Sequence, residues 1–136
     1  MKAYLSRRYR ICASHRLNVA AFSEEQNRLV FGKCNHPYGH GHNYTVEVTV
    51  SGQVDETTGM VCNLADLDGC VQTLLLDRFD HADLNRDPGF SRAVPTTENF
   101  CTLIFELLSG AFDRAALERV RVEETGNNFF ELERKA

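Results

Sequence analysis

The sequence predicts an α+β protein, an antiparallel sheet of ββ–αα–ββ order with two helices packed on one face. Three observations predict it. β-compatible stretches lie near both ends, one of them in strict alternation. Two apolar runs at helical spacing fill the middle. No repeat, linker or low-complexity segment divides the 136 residues, so one domain spanning 1–136 is expected.

The first strand is expected over Ala3–His15, where Leu5, Tyr9, Ile11 and Ala13 share one parity. The second runs from Asn43 to Val54, with Tyr44, Val46, Val48 and Val50 on one face and Thr45, Glu47 and Thr49 on the other. Asn63 can cap a helix whose apolar positions are Leu64, Leu67, Val71, Leu74 and Leu75. Asp80–Pro95 reads as a loop, with Asp87-Pro88-Gly89 as its turn. Thr96 or Thr97 can cap a second helix with the stripe Phe100, Leu103, Ile104, Leu107 and Leu108, ending near Gly110. Arg119–Glu124 and Asn128–Glu133 form the last hairpin, around Gly126-Asn127. Four strands with helices on one side leave a bare face and two open edges; either polar side chains cover that face or the chain assembles, and joining edges in an oligomer is the expectation.

Composition excludes several classes. Hydrophobic residues at 43% and charged residues at 25% are ordinary globular usage, not disorder. A formal net charge of −4 argues against general nucleic-acid binding, which needs basic surface. No apolar run approaches the ~18 residues a membrane span needs. The basic residues of 1–10 lack an apolar stretch behind them, so they are not a signal peptide, and a cytoplasmic location with reduced thiols is expected. The five cysteines form no CxxC pair. Cys12, Cys62, Cys70 and Cys101 read as small core residues; Cys34, among Lys33, Asn35 and His36, does not.

The chemistry concentrates in Cys34-Asn35-His36-Pro37-Tyr38-Gly39-His40-Gly41-His42-Asn43-Tyr44. If His40 and His42 begin the second strand, their i, i+2 spacing puts both imidazoles on one face. His15, ending the first strand, is where an antiparallel partner delivers a third. Three neutral histidines with an open fourth position describe a catalytic zinc site. Cys34 could serve as a base or nucleophile, its pKa lowered by a nearby cation, or close the site as a fourth ligand. His36 is a further imidazole, either beside the site or exposed. Asp80-His81 is either a proton relay or a turn-capping acid beside a surface histidine. Glu124 ends the third strand, where a carboxylate can accept the paired N–H donors of a 2-amino-4-oxo pyrimidine edge or simply sit in a solvated acidic turn.

These residues resemble the 6-pyruvoyl tetrahydropterin synthase family. Cys34-x5-His40-Gly-His42-Asn-Tyr carries the resemblance, with Ala13-Ser-His15-Arg-Leu17, Thr58-Gly-Met-Val-Cys-Asn-Leu64, Asp80-His81, Pro95-Thr-Thr-Glu-Asn99 and Glu124-Thr-Gly-Asn-Asn128 in order along the chain. The resemblance implies the tunnelling fold, in which ββααββ subunits form a trimeric barrel and two trimers stack into a homohexamer. It implies a zinc ion on His15, His40 and His42, with Cys34 as the base. Asp80 and His81 would be its relay, supplied by a neighbouring subunit. Glu124 would anchor the pterin ring, with Thr96 and Thr97 alongside. The implied reaction converts 7,8-dihydroneopterin triphosphate to 6-pyruvoyl tetrahydropterin and triphosphate. Arg16, Lys33 or the Arg7-Arg8-Arg10 cluster are candidate triphosphate partners, and magnesium is a second cation the triphosphate could bring. Related 6-carboxytetrahydropterin synthases of queuosine biosynthesis carry a Cys-x3-His spacing, so the longer spacing here favours the pyruvoyl product. A non-catalytic pterin- or metal-binding protein is the alternative of another class.

Overall fold

A computed structural model describes residues 1–135. Strands β1 (Lys2–His15) and β2 (His40–Gln53) pair antiparallel over their whole length, from Lys2 opposite Gln53 to His15 opposite His40. Strand β4 (Ala116–Thr125) joins the far side of β2, and β5 (Asn128–Glu133) pairs with β4. A two-residue strand, β3 (Ala82–Asp83), lies parallel to β1 beside Ala13 and Ser14. The sheet order is β3-β1-β2-β4-β5, so the sheet is five-stranded and mixed rather than four-stranded and antiparallel. The α+β class stands; two residues carry too little pattern for β3 to be read from sequence.

Period-2 alternation builds the core. Ile11 and Ala13 from β1, Tyr44, Val46, Val48 and Val50 from β2, and Val120 and Val122 from β4 are buried on one face. Helix α2 (Leu64–Val71), capped by the Asn63 side chain on the Ala65 N–H, runs through a π-helical turn at 72–76 into α3 (Asp77–Phe79). Its buried positions Leu67, Val71, Leu75 and Phe79 fall every four residues. That spacing drifts around a 3.6-residue helix, and the wider π turn turns the later positions back toward the sheet. Asp68 fastens this helix to β1, accepting from Tyr9 Oη at 2.6 Å and Arg7 Nε at 2.8 Å. Helix α4 (Thr97–Leu108) is capped by Thr96 and covers β4 and β5 with Phe100, Cys101, Ile104 and Leu108.

Three features depart from the sequence reading. Helix α1 (Glu24–Phe31), between β1 and β2, carries a Ser23–Gln26 capping box but no inward stripe, since Leu29 is 78% exposed and Asn27 is its one buried residue. The last hairpin begins at Ala116, because a bulge opposite Thr49/Val50 places Glu118 out of register and breaks the alternation. Of the four cysteines read as core, only Cys101 is buried, and burial pushes its thiol up to about 12. Cys12 points out from the opposite sheet face, while Cys62 and Cys70 are half-buried.

Candidate active site

The register of β1 on β2 builds the site. His15 faces His40 directly, and His42 lies one inward position further along β2, so the three rings share the core face at the open end of the sheet. Their Nε2 atoms converge: His40 lies 2.8 Å from His42 and 3.3 Å from His15. The rings meet edge to face, with centroids 4.6–4.9 Å apart. His15 is 1% exposed, and its Nδ1 lies 2.9 Å from the Pro95 carbonyl. A carbonyl only accepts, so Nδ1 carries the proton and Nε2 presents a lone pair to the cluster. The Tyr44 hydroxyl lies 3.1 Å from the same Nδ1.

Cys34, on the 3-10 turn Gly32–Asn35, places its sulfur with the His15 and His40 nitrogens, all within 4.8 Å of one another. Glu124 does the same with His15 and His42 from the other side. A second bulge explains its aim. Glu123 pairs with Phe129 and Thr125 with Asn128, leaving Glu124 as the unpaired residue between them. One Glu124 oxygen accepts from the buried Thr97 hydroxyl, and the other is 3.8 Å from His42 Nε2. The chain thus assembles a His/Cys/Glu group able to hold a metal ion. The set also fits one chemically. Lone pairs on neutral imidazoles at these separations repel unless a proton or cation sits among them, and nitrogen, sulfur and carboxylate donors suit a borderline dication.

Burial lowers the pKa of His15, and burial above all lowers that of His42, against the opposing charge of Glu124. The unfolded chain therefore binds more protons than the folded one between those lowered values and the ordinary histidine pKa of about 6.5. Stability of the metal-free protein is expected to fall as pH drops below about 6.5, with a shallower slope in His15→Gln, read by thermal unfolding across pH. For Cys34 the direction opposes the lowered pKa expected from a cation: in the protein alone, burial and then Glu124 raise it. A cation among the imidazoles acts against both influences.

Other predicted residues fall elsewhere. Thr96 spends its hydroxyl on the α4 cap, accepting from Asn99 N–H at 3.1 Å. Asp80 and His81 pair with each other at 3.2 Å on the outer edge of β1, where Asp80 also accepts from the Cys12 N–H. His81 is 80% exposed in the left-handed region, at φ 60°. Among the described residues neither bonds to the histidine cluster or to Cys34. His36 is exposed, turned back on the Tyr38 N–H. Arg7 and Arg8 are engaged by Asp68 and Glu47, whereas Arg16 lies beside the Cys34 turn, donating to the Asn35 carbonyl at 3.3 Å. The Pro95 carbonyl escaped the sequence reading because a backbone acceptor leaves no residue-type signal. The sequence places Tyr44 on the core face and in the Cys34–Tyr44 segment without giving it a role, although its parity with His42 points to the site.

A family model described as 6-pyruvoyl tetrahydropterin synthase matches residues 4–135. The chain belongs to this family. It is 46% identical over 128 residues to the human 6-pyruvoyl tetrahydrobiopterin synthase, covering 93% of this chain and 88% of that one. A putative 6-carboxy-5,6,7,8-tetrahydropterin synthase of Archaeoglobus fulgidus is 40% identical over 95 residues, 70% of this chain and 76% of its own. The solved structure of Caenorhabditis elegans 6-pyruvoyl tetrahydropterin synthase superposes with a TM-score of 0.92 at 36% identity, covering 99% of this chain and 97% of that one. The family's tunnelling fold is therefore the fold of this chain. Among the described residues, no helix is long and apolar enough to cross a membrane.

Proposed function

We propose that the protein is a zinc-dependent 6-pyruvoyl tetrahydropterin synthase, a lyase that converts 7,8-dihydroneopterin triphosphate to 6-pyruvoyl tetrahydropterin and triphosphate. The observation that carries this reading is the meeting of three imidazole Nε2 atoms with a thiol and a carboxylate, in a chain of this family. His15, His40 and His42 hold the zinc, which when bound polarises the substrate's side-chain hydroxyls as a Lewis acid. Cys34 removes a carbon-bound proton from that side chain. Triphosphate leaves with its bonding electrons, and an internal redox shift makes the pyruvoyl group, so no external oxidant or reductant enters.

Glu124 accepts the paired N–H donors of the pterin edge, with the Thr97 hydroxyl holding its carboxylate and Thr96 contributing only through the helix it starts. Arg16, next to the thiol's turn, is the triphosphate partner favoured by position. Asp80 and His81 lie on the edge of β1 away from their own Cys34, which supports their acting on a neighbouring subunit's site in a hexamer built as a dimer of trimers. A cytoplasmic location goes with this reading.

The test is anaerobic incubation of the zinc-loaded protein with 7,8-dihydroneopterin triphosphate, with products read by mass spectrometry. Triphosphate and a pyruvoyl pterin are expected. Carboxytetrahydropterin with acetaldehyde would place the chain with its archaeal relative and show that Cys34–His40 spacing does not decide the product. Unchanged substrate with tight pterin binding would mean a binding protein.

A further inference from the structure

We propose that Asn35 is the residue that positions the Cys34 thiol against the metal-binding histidines, and this rests on the reading of Cys34 as the base. The turn Gly32–Asn35 is short and contributes one buried side chain, that of Asn35, at 6% exposure. Its amide donates to the Leu17 carbonyl at 2.7 Å and to Asn18 Oδ1 at 2.9 Å. The Leu17 N–H in turn donates to the Cys34 carbonyl at 2.7 Å. Both backbone groups of Leu17 are thus taken by two consecutive residues of the thiol's turn, one through main chain and one through a side chain. The pair of bonds resembles a single rung of sheet in which an asparagine amide replaces a peptide N–H.

Leu17 lies two residues beyond His15, so this rung sets the thiol's turn against the strand that carries the buried ligand. That strand end is itself held from the opposite side, where Asn85 bonds both the Arg16 N–H, at 2.7 Å, and the Arg16 carbonyl, at 2.9 Å. The other end of the thiol's loop is held by crowding. A Cβ on Gly39 would lie 2.9 Å from the His15 carbonyl oxygen. Between these two fixed ends His36, Pro37 and Tyr38 are exposed, with Tyr38 at 94%. Their identity is therefore free to differ while the thiol keeps its place, and Asn35 is the side chain in the loop on which that place depends.

Losing the amide leaves the Leu17 carbonyl without this donor and frees the turn to shift. A displacement of about 1 Å at a reacting group can cost about 100-fold in rate. In Asn35→Ala, kcat is expected to fall about 100-fold with KM within about threefold. Zinc per chain should match the parent protein, because the three imidazoles sit on β1 and β2. In metal-free protein, Cys34 should also react with iodoacetamide several-fold faster than in the parent, read by peptide mass spectrometry. Asn35→Gln keeps the donor but moves it by one methylene, and serves if the alanine variant fails to fold. It should show the same kcat loss, in smaller measure. Parent-like kcat and alkylation rate in either folded variant overturn the proposal. So does a kcat loss that tracks loss of zinc, which would make Asn35 a general support of the site. Cys34→Ala separates the two readings: if it stays active, the assignment of Cys34 as base has failed, while the alkylation rate still tests the positioning.

Discussion

Cys34→Ala should lower turnover by about 10²- to 10⁴-fold, the range a positioned proton acceptor contributes, with zinc and pterin still bound. The structure makes the change a clean one. The turn carrying Cys34 is held by its own carbonyl and by the Asn35 amide, not by the sulfur. The three imidazoles come from strands the substitution does not touch. Glu124, the carboxylate proposed for the pterin edge, is fixed by Thr97 and by the β4–β5 bulge. Metal content and pterin binding measured beside single-turnover rates check the expectation. If zinc leaves with the thiol, Cys34 is a fourth ligand that closes the metal, and its role as base is lost.

His40→Ala should remove both the metal and the activity. His40 is the central donor, its Nε2 within 3.3 Å of His15 and 2.8 Å of His42. Without it the remaining protein nitrogens, His15 and His42, come from different strands and lose the donor between them. Zinc should fall from about one per chain, the number a three-histidine site holds, to near none after dialysis, by elemental analysis. Retention of one zinc by the variant would show that Glu124 or Cys34 completes the site, and the assignment of the three histidines as the ligand set would be wrong. His40 Nδ1 is buried with no partner among the described residues, so no hydrogen bond at that atom resists its replacement.

Much of this site could be read from the chain. The His-Gly-His spacing on an alternating strand gives two imidazoles on one face, and the strand ending at His15 gives the third. Asn63 and Thr96 announce their helices by capping chemistry. What escaped was set by long-range register or by backbone atoms. Glu124 is legible as a candidate carboxylate, but the bulges at Glu118 and Glu124 are not, since there the count of residues between strands changes without a change in residue type. Helix α1 turns its apolar residues to solvent, so its periodicity says nothing while its capping box speaks. That Asp80 and His81 bond to each other and to Cys12 rather than to Cys34 is a property of three-dimensional placement that the dipeptide cannot carry; only the family resemblance implies that they serve a neighbouring subunit.

The full-length pairing of β1 with β2 also bears on how the chain reaches its native state. With a side-chain period of two, sliding β1 by one residue along β2 would send His15 to the opposite face from His40 and His42. A slip of two keeps the face: one way it sets His15 opposite His42, and the other way, opposite Tyr38, it carries His15 about 7 Å further from the pair. Fourteen consecutive pairs offer many such near-misses, and in every one-residue slip, as in the two-residue slip toward Tyr38, the three imidazoles fail to meet. Metal uptake during refolding would therefore discriminate correctly aligned molecules from misaligned ones. Zinc present while the hairpin forms should raise the yield of native protein, where zinc added after misalignment should not.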